Sequence, residues 1–276
     1  MYIDGRRIAE EIQGNLKERA AHARAPISLA IVSTGDDPAT MRFMAAKKSF
    51  GIAAGVSVVT LKVDLKESTE DIIRRVKHLS QSHRAIIIQL PLPAHINTDM
   101  ALSAIPARAD VDVLSSATKR DVKNGISPFV PPVLGAIQKI LATAHVSLLG
   151  KRIAVVGQGR LVGIPVSEWL AQKGIAHSAI KEDTSHAADI IAHADIVITG
   201  IGVPRFITPN MVKEGVVLID AGTSEEKQEK GFVQKIAGDC DPACGEKASV
   251  FTPVPGGVGP VAVAVLFENI FRAHGA

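Results

Sequence analysis

Four polar side chains stand where a chain of alternating helices and strands could use them. Lys47 falls four residues after Phe43 in a helically patterned segment, which puts an amine and an aromatic ring on one face. Gln89 closes the apolar run 85–88, and the carboxyl end of a parallel strand is where open α/β sheets bind ligands. Asp110 and Asp112 flank Val111, an alternation that sets both carboxylates on one side of an extended segment. An amine held near such groups is suited to proton transfer or to fixing a polar ligand. Each also has a plainer reading: Lys47 as a snorkelling surface lysine, Gln89 as a strand-end hydrogen bonder, Asp112 as a turn former.

A second constellation is built on glycine. The apolar run 152–157 enters Gly157-Gln158-Gly159-Arg160-Leu161-Val162-Gly163, a G-x-G-x-x-x-G spacing one residue longer than the usual dinucleotide fingerprint. Gly157 and Gly159 permit a tight turn and close approach of backbone to phosphate. The following helix would aim its first amides at the anion. Glu182 follows Gly157 by 25 residues, at the end of the next strand. An acid there accepts from the adenosine ribose 2′-hydroxyl and repels a 2′-phosphate. Lys181 and Arg160 argue the other way, since either could reach a phosphate. Gly200, just past the strand 195–199, completes the candidate dinucleotide set.

The elements that must position these groups alternate along the whole chain. Helices are expected at 6–23, 38–50, 68–80, 132–144, 162–173, 185–193, 208–213 and 260–272, and strands at 28–33, 56–62, 85–89, 152–157, 176–180, 195–199 and 215–220. Gly35-Asp36-Asp37-Pro38 reads as a turn, and 113–130 as a polar connection. The region 222–249 is polar and weakly patterned. The punctuation implies an α/β fold of two domains with parallel sheets: residues 1–118 with the returning helix 260–276, and a Rossmann-type dinucleotide domain over 119–259.

Composition narrows the function class. Of 276 residues, 31 are Lys or Arg and 28 Asp or Glu, a net charge of +3 that does not suggest a nucleic-acid partner. At 46% hydrophobic and 4% aromatic, the core is large and aliphatic. No apolar run reaches the roughly 18 residues of a membrane helix, and the start lacks the apolar centre of a signal peptide. Cys240 and Cys244 make neither a disulfide framework nor, with no histidine patterned nearby, a four-ligand metal site. A cytoplasmic protein without a metal or a membrane partner is the expectation.

Five dispersed motifs, in order, resemble one family: Gln89-Leu90-Pro91-Leu92-Pro93, Asp110-Val111-Asp112, Val162-Gly163-Ile164-Pro165, Gly238-Asp239-Cys240-Asp241 and Thr252-Pro253-Val254-Pro255-Gly256-Gly257-Val258-Gly259-Pro260. From Ile3-Asp4-Gly5 to the last helix, the chain is similar to the FolD-type bifunctional methylenetetrahydrofolate dehydrogenase/cyclohydrolases. The resemblance implies folate bound on the N-terminal side of a cleft and NAD or NADP on the other, in a homodimer. It makes Lys47 the catalytic lysine, Gln89 its support and Asp112 the pterin carboxylate, with Phe43, Pro253, Gly256 and Gly257 beside the substrate. The implied work is oxidation of 5,10-methylenetetrahydrofolate and hydrolysis of the methenyl product in one-carbon metabolism. Lys47 would serve there as a base of lowered pKa or as a charge that polarises the intermediate.

The chain also departs from the family pattern. Phe43 stands where tyrosine is usual, which keeps a stacking face and removes a hydroxyl from the neighbourhood of Lys47. Val113 replaces the glycine after the second aspartate, so an altered backbone is expected there. Ala262 replaces a threonine. Gln158 replaces an arginine, and Lys181-Glu182-Asp183 replaces basic and hydroxyl groups that meet a 2′-phosphate, which tilts the expected cofactor toward NAD. Two other readings stand beside the working enzyme: a paralogue with another pterin-like substrate, and a folate- or dinucleotide-binding protein without turnover.

Overall fold

A computed structural model of the protein describes residues 1–34, 38–226 and 235–276, so the turn expected at Gly35-Asp36-Asp37 lies outside the described residues. The chain divides into two compact units, Ala9–Pro132 with Val263–Ala276, and Met1–Ile8 with Val133–Ala262. The division expected at 118/119 falls instead at 132/133, and the first eight residues go with the later unit.

The earlier unit takes most of α1 (Gly5–Ala21), then β1 (Ser28–Ser33), α2 (Pro38–Ala53), β2 (Ser57–Lys62), α3 (Thr69–Leu79), β3 (Ile86–Ile88), α4 (Thr98–Ser103) and α5 (Ser116–Lys123). Its sheet is parallel, in the order β2-β1-β3. The unbroken apolar runs of β1 and β3 mean burial on both faces. Leu29, Ile31 and Ile87 enter one core with Leu16, Phe267, Ile270 and Phe271. Ala30, Val32, Ile86 and Ile88 enter the other, with Ile72, Val76, Ala101 and Leu102. Alternation along single strands thus feeds two cores. Helix α3 begins in a reciprocal capping box, Ser68 accepting from the Asp71 amide while the Asp71 carboxylate accepts from Ser68.

Helix α6 (Pro132–Thr143) leads into the later unit, which holds β4 (Ile153–Val156), α7 (Gly163–Gln172), β5 (Ser178–Ile180), α8 (Ala187–His193), β6 (Ile196–Thr199), β7 (Val217–Asp220), β8 (Ser224–Glu226), β9 (Lys235–Ala237), α9 (Cys244–Lys247) and β10 (Val250–Phe251). The long helix α10 (Val258–His274) closes the chain. Five strands form a parallel sheet in the order β10-β7-β6-β4-β5. The N-terminus extends it: Ile3 donates its amide to Phe251 O at 2.9 Å and Phe251 returns one to Met1 O at 2.9 Å. That pairing explains why residues 1–8 belong here.

Several expected elements change. Helix α5 lies inside the stretch read as a connection, β8, β9 and α9 occupy the weakly patterned region, and β10 follows directly after it. The helix expected at 208–213 is a single 3₁₀ turn, Pro209–Met211. Short elements carry too few residues to set a period, which is why patterning missed them. Among the described residues, no helix is long and apolar enough to cross a membrane.

Candidate active site

The amine, the amide and the carboxylate all belong to the earlier unit. Strand pairing carries Gln89 into place: its amide donates to Val32 O at 2.8 Å, one residue beyond the last β3 pair. Its side-chain Nε2 donates to Leu90 O at 2.8 Å, which turns Oε1 outward as an acceptor. Lys47 Nζ, from α2, donates to that oxygen at 2.9 Å. Gln89 is buried and Lys47 half-buried. Dehydration by the surrounding protein pulls the Lys47 amine below its ordinary value, and the Asp112 carboxylate opposes the pull. The same dehydration raises the Asp112 carboxyl; Lys47 opposes that rise and Asp110 reinforces it. Phe43 sits one helical turn before Lys47 and is exposed.

Asp110 and Asp112 are not the equivalent pair expected of an extended segment. Asp110 is fully buried and accepts from the Leu114 amide at 3.1 Å and the Ser115 amide at 2.8 Å. It therefore closes a turn, which a two-residue alternation cannot describe. Asn269 of α10 holds the same turn by donating Nδ2 to Val111 O at 2.8 Å. Within it Val113 adopts φ +59° and is buried. That is a left-handed conformation, which a β-branched residue holds at an expense on the order of 1–2 kcal/mol. Asn269, which holds the same turn, carried no signal in the sequence that separates it from other polar residues, and Asp110 was singled out for its carboxylate but not for this structural role.

The glycine turn occupies the carboxyl end of β4 in the later unit. Gly157, at φ +86°, donates its amide to Ile180 O of β5 at 2.9 Å. A Cβ on Gly157 would lie 2.5 Å from Ile201 Cγ2, and one on Gly163 would lie 1.8 Å from Gly157 O. A Cβ on Gly200 would meet the buried Val162 side chain at 2.6 Å. These three glycines let segments of the protein touch. Gly159 differs: its Cβ would find nothing nearer than Gly200 O at 3.9 Å, and the residue is exposed. The space left there, before a helix whose N-cap Val162 supplies no side-chain bond, suits a phosphate laid on backbone amides. The residues present thus fit a dinucleotide.

Gln158 folds inward instead, donating Nε2 to Val155 O at 3.4 Å and accepting from Ser167 Oγ at 3.3 Å. Arg160 is half-buried beside Gly159. Glu182 lies exposed in the turn after β5, next to Lys181, whose amide donates to Thr184 Oγ1 at 2.8 Å. Of the other substrate candidates, Pro253, Gly256 and Gly257 also lie in this unit, where Gly257 donates to Pro253 O at 2.7 Å and Gly5 donates to Gly256 O at 2.9 Å.

Two buried carboxylates behind this turn were not among the candidates. Asp239 accepts from Thr199 Oγ1 at 2.9 Å and from the amides of Ile201, Gly202 and Val203 at 2.7, 2.9 and 3.1 Å. Asp220 accepts from the amides of Gly222, Asp239 and Cys240 at 2.9, 3.2 and 2.8 Å. Burial raises the Asp220 carboxyl to about 6, against the pull of those amides.

A lysine–glutamine–aspartate group in one α/β unit and a glycine-lined turn in the other are the parts of a two-domain, NAD(P)-binding α/β enzyme. Comparison with known proteins is consistent with that class. Residues 3–112 match the family model for the catalytic domain of tetrahydrofolate dehydrogenase/cyclohydrolase, and residues 131–276 match its NAD(P)-binding domain. The bifunctional protein FolD of Streptococcus mutans is 33% identical over 279 residues, covering 98% of this chain and 96% of that one. The crystal structure of the Trypanosoma brucei methylenetetrahydrofolate dehydrogenase-cyclohydrolase, in complex with NADP and an inhibitor, superimposes with a TM-score of 0.93 at 29% identity, covering 100% and 97% of the two chains. The Campylobacter jejuni FolD structure gives 0.92 at 28% identity, covering 100% and 98%. The chain belongs to the tetrahydrofolate dehydrogenase/cyclohydrolase family.

Proposed function

We propose that Lys47, Gln89 and Asp112 carry the folate chemistry of this family in the protein. 5,10-Methylenetetrahydrofolate loses a hydride and becomes the methenyl cation. Bound NAD(P)⁺ supplies the hydride acceptor. Water then adds to the cationic carbon and loses one proton; the remaining hydroxyl proton passes to N5 as the C–N5 bond breaks, and the five-membered ring opens to 10-formyltetrahydrofolate. The observation that carries the assignment is the Lys47–Gln89 bond of 2.9 Å on an amine whose protonated form is disfavoured. Gln89 Oε1 takes one N–H of Lys47 and so fixes the direction of the rest of the amine. In its neutral form Lys47 accepts the proton that the attacking water releases. Asp112 offers a carboxylate to the paired N–H donors of a pterin ring, and Phe43 an aromatic face. In Lys47→Ala, hydrolysis of the methenyl compound, followed by its absorbance, falls by about 10²–10⁴-fold. Retention of full hydrolysis in the folded variant would remove Lys47 from the mechanism.

The preference between dinucleotides is read from Glu182. An acid in the turn after β5, whose last carbonyl accepts from Gly157, favours a ribose hydroxyl and disfavours a 2′-phosphate. NAD⁺ is thus the preferred acceptor. Glu182→Gln shifts the ratio of kcat/KM for NADP⁺ over NAD⁺ upward by about tenfold, a change of about 1.4 kcal/mol. An unchanged ratio would leave the choice to Lys181 and Arg160.

A further inference from the structure

The segment after β6 has no side chain suited to catalysis, yet the glycine turn rests on it. Ile201 is the wall that a Cβ on Gly157 would strike at 2.5 Å, and Gly200 is the space that Val162 fills. Residues 200–203 form no regular element; β4 holds the first of them, Gly200, whose amide donates to Val156 O at 3.1 Å, and the three that follow lie beyond the strand pairing. One carboxylate does: Asp239, fully buried, takes the consecutive amides of Ile201, Gly202 and Val203, together with the Thr199 hydroxyl. None of these four donors carries a charge, so the interaction is directional and sets a backbone path. Asp239 is itself fixed, its amide donating to Asp220 and its carbonyl accepting from Ile207 at 2.8 Å. Gly222 lies against it, where a Cβ would come within 2.2 Å of the carboxyl carbon.

We propose that Asp239 is the positioning residue of the dinucleotide site: by holding the amides of 201–203 it places the wall on which Gly157 and Val162 pack, and so sets the cradle for the pyrophosphate. The inference rests on the family's use of NAD(P) at this turn. Asp239 bonds only groups of its own unit, and Lys47 belongs to the other.

The test is Asp239→Asn in the full-length protein. Each carboxylate oxygen serves two donors, so an amide nitrogen in either place faces two donors with nothing to accept them. KM for the dinucleotide rises at least about tenfold, while kcat at saturation and the cyclohydrolase kcat/KM, which needs no dinucleotide, stay within about twofold. Thr199→Val removes one donor and leaves the carboxylate, and raises the same KM about threefold. It carries the test if Asp239→Asn does not fold. A dinucleotide KM unchanged in the folded variants, or cyclohydrolase falling in step with dehydrogenase, would overturn the proposal. Binding of NADH and NADPH, read by their fluorescence, separates this from failure of the enzymatic reading. If wild type binds dinucleotide without turnover, that reading fails, and the affinities of the variants still decide the role of Asp239.

Discussion

The two units place function in different parts of the polypeptide. In the earlier one, three side chains converge, and a change of residue type changes the chemistry directly. In the later one, glycines shape the cradle, and buried carboxylates hold the main chain that borders it. Side-chain sites keep their residues visible in a sequence. Main-chain sites keep only their permissions, the glycines, and conceal the groups that enforce them. Within the turn after β4 the glycines themselves divide: Gly157 and Gly163 let protein touch protein, and Gly159 leaves open space.

That division is the first place to break the comparison. Gly163→Ala puts a Cβ 1.8 Å from Gly157 O, so backbone must move, and stability falls by about 2–3 kcal/mol. Gly159→Ala meets nothing within 3.9 Å. Its thermal midpoint stays within that of a neutral surface change, about 0.5 kcal/mol, while dinucleotide affinity drops at least about tenfold. Thermal unfolding with and without NADH reads both. Equal stability in the two variants would contradict the assignment of Gly163 to packing and Gly159 to the ligand.

A smaller effect separates two neighbouring valines in the first unit. Val111 and Val113 are both buried in the same core. Only Val113 bears a left-handed backbone, φ +59°. Val111→Ala costs about 2–3 kcal/mol as lost burial and cavity. Val113→Ala costs about 1 kcal/mol less, because it also relieves a β-branched residue from that conformation. Denaturant unfolding of both variants measures the difference, and equal losses would show that Val113 carries no strain.

Much of the fold was legible in the sequence because its main strands are unbroken apolar runs such as Leu29–Val32 and Ile153–Val156. The glycine turn was legible by its spacing; Lys47, Gln89 and Asp112 stood out by residue type, the resemblance alone gave them roles, and the structure brings Lys47 to Gln89. What stayed hidden has physical reasons. Tyr2 pairing beside Phe251 joins residues 249 positions apart, which no local pattern records. Asp110 and Asp112 look alike in sequence and differ because one faces the amides of 114 and 115. Asp239 lay within a motif that gave no role, since three of its four partners are amides, and every residue but proline has one. Val113 holds a left-handed backbone that its own residue type disfavours, because Asp110 and Asn269 fix the turn around it.

The central claim is that the Lys47 amine works in its neutral form, and the pH dependence of cyclohydrolase addresses it most directly. The amine titrates below its ordinary value of 10.5. The rate therefore rises with pH through that lowered ionisation and then levels, because deprotonation creates the base. Lys47→Arg keeps the positive charge at every accessible pH and abolishes the rise. A wild-type rate that falls as the amine loses its proton, or an arginine variant that retains hydrolysis, would contradict the account and make Lys47 a fixed charge.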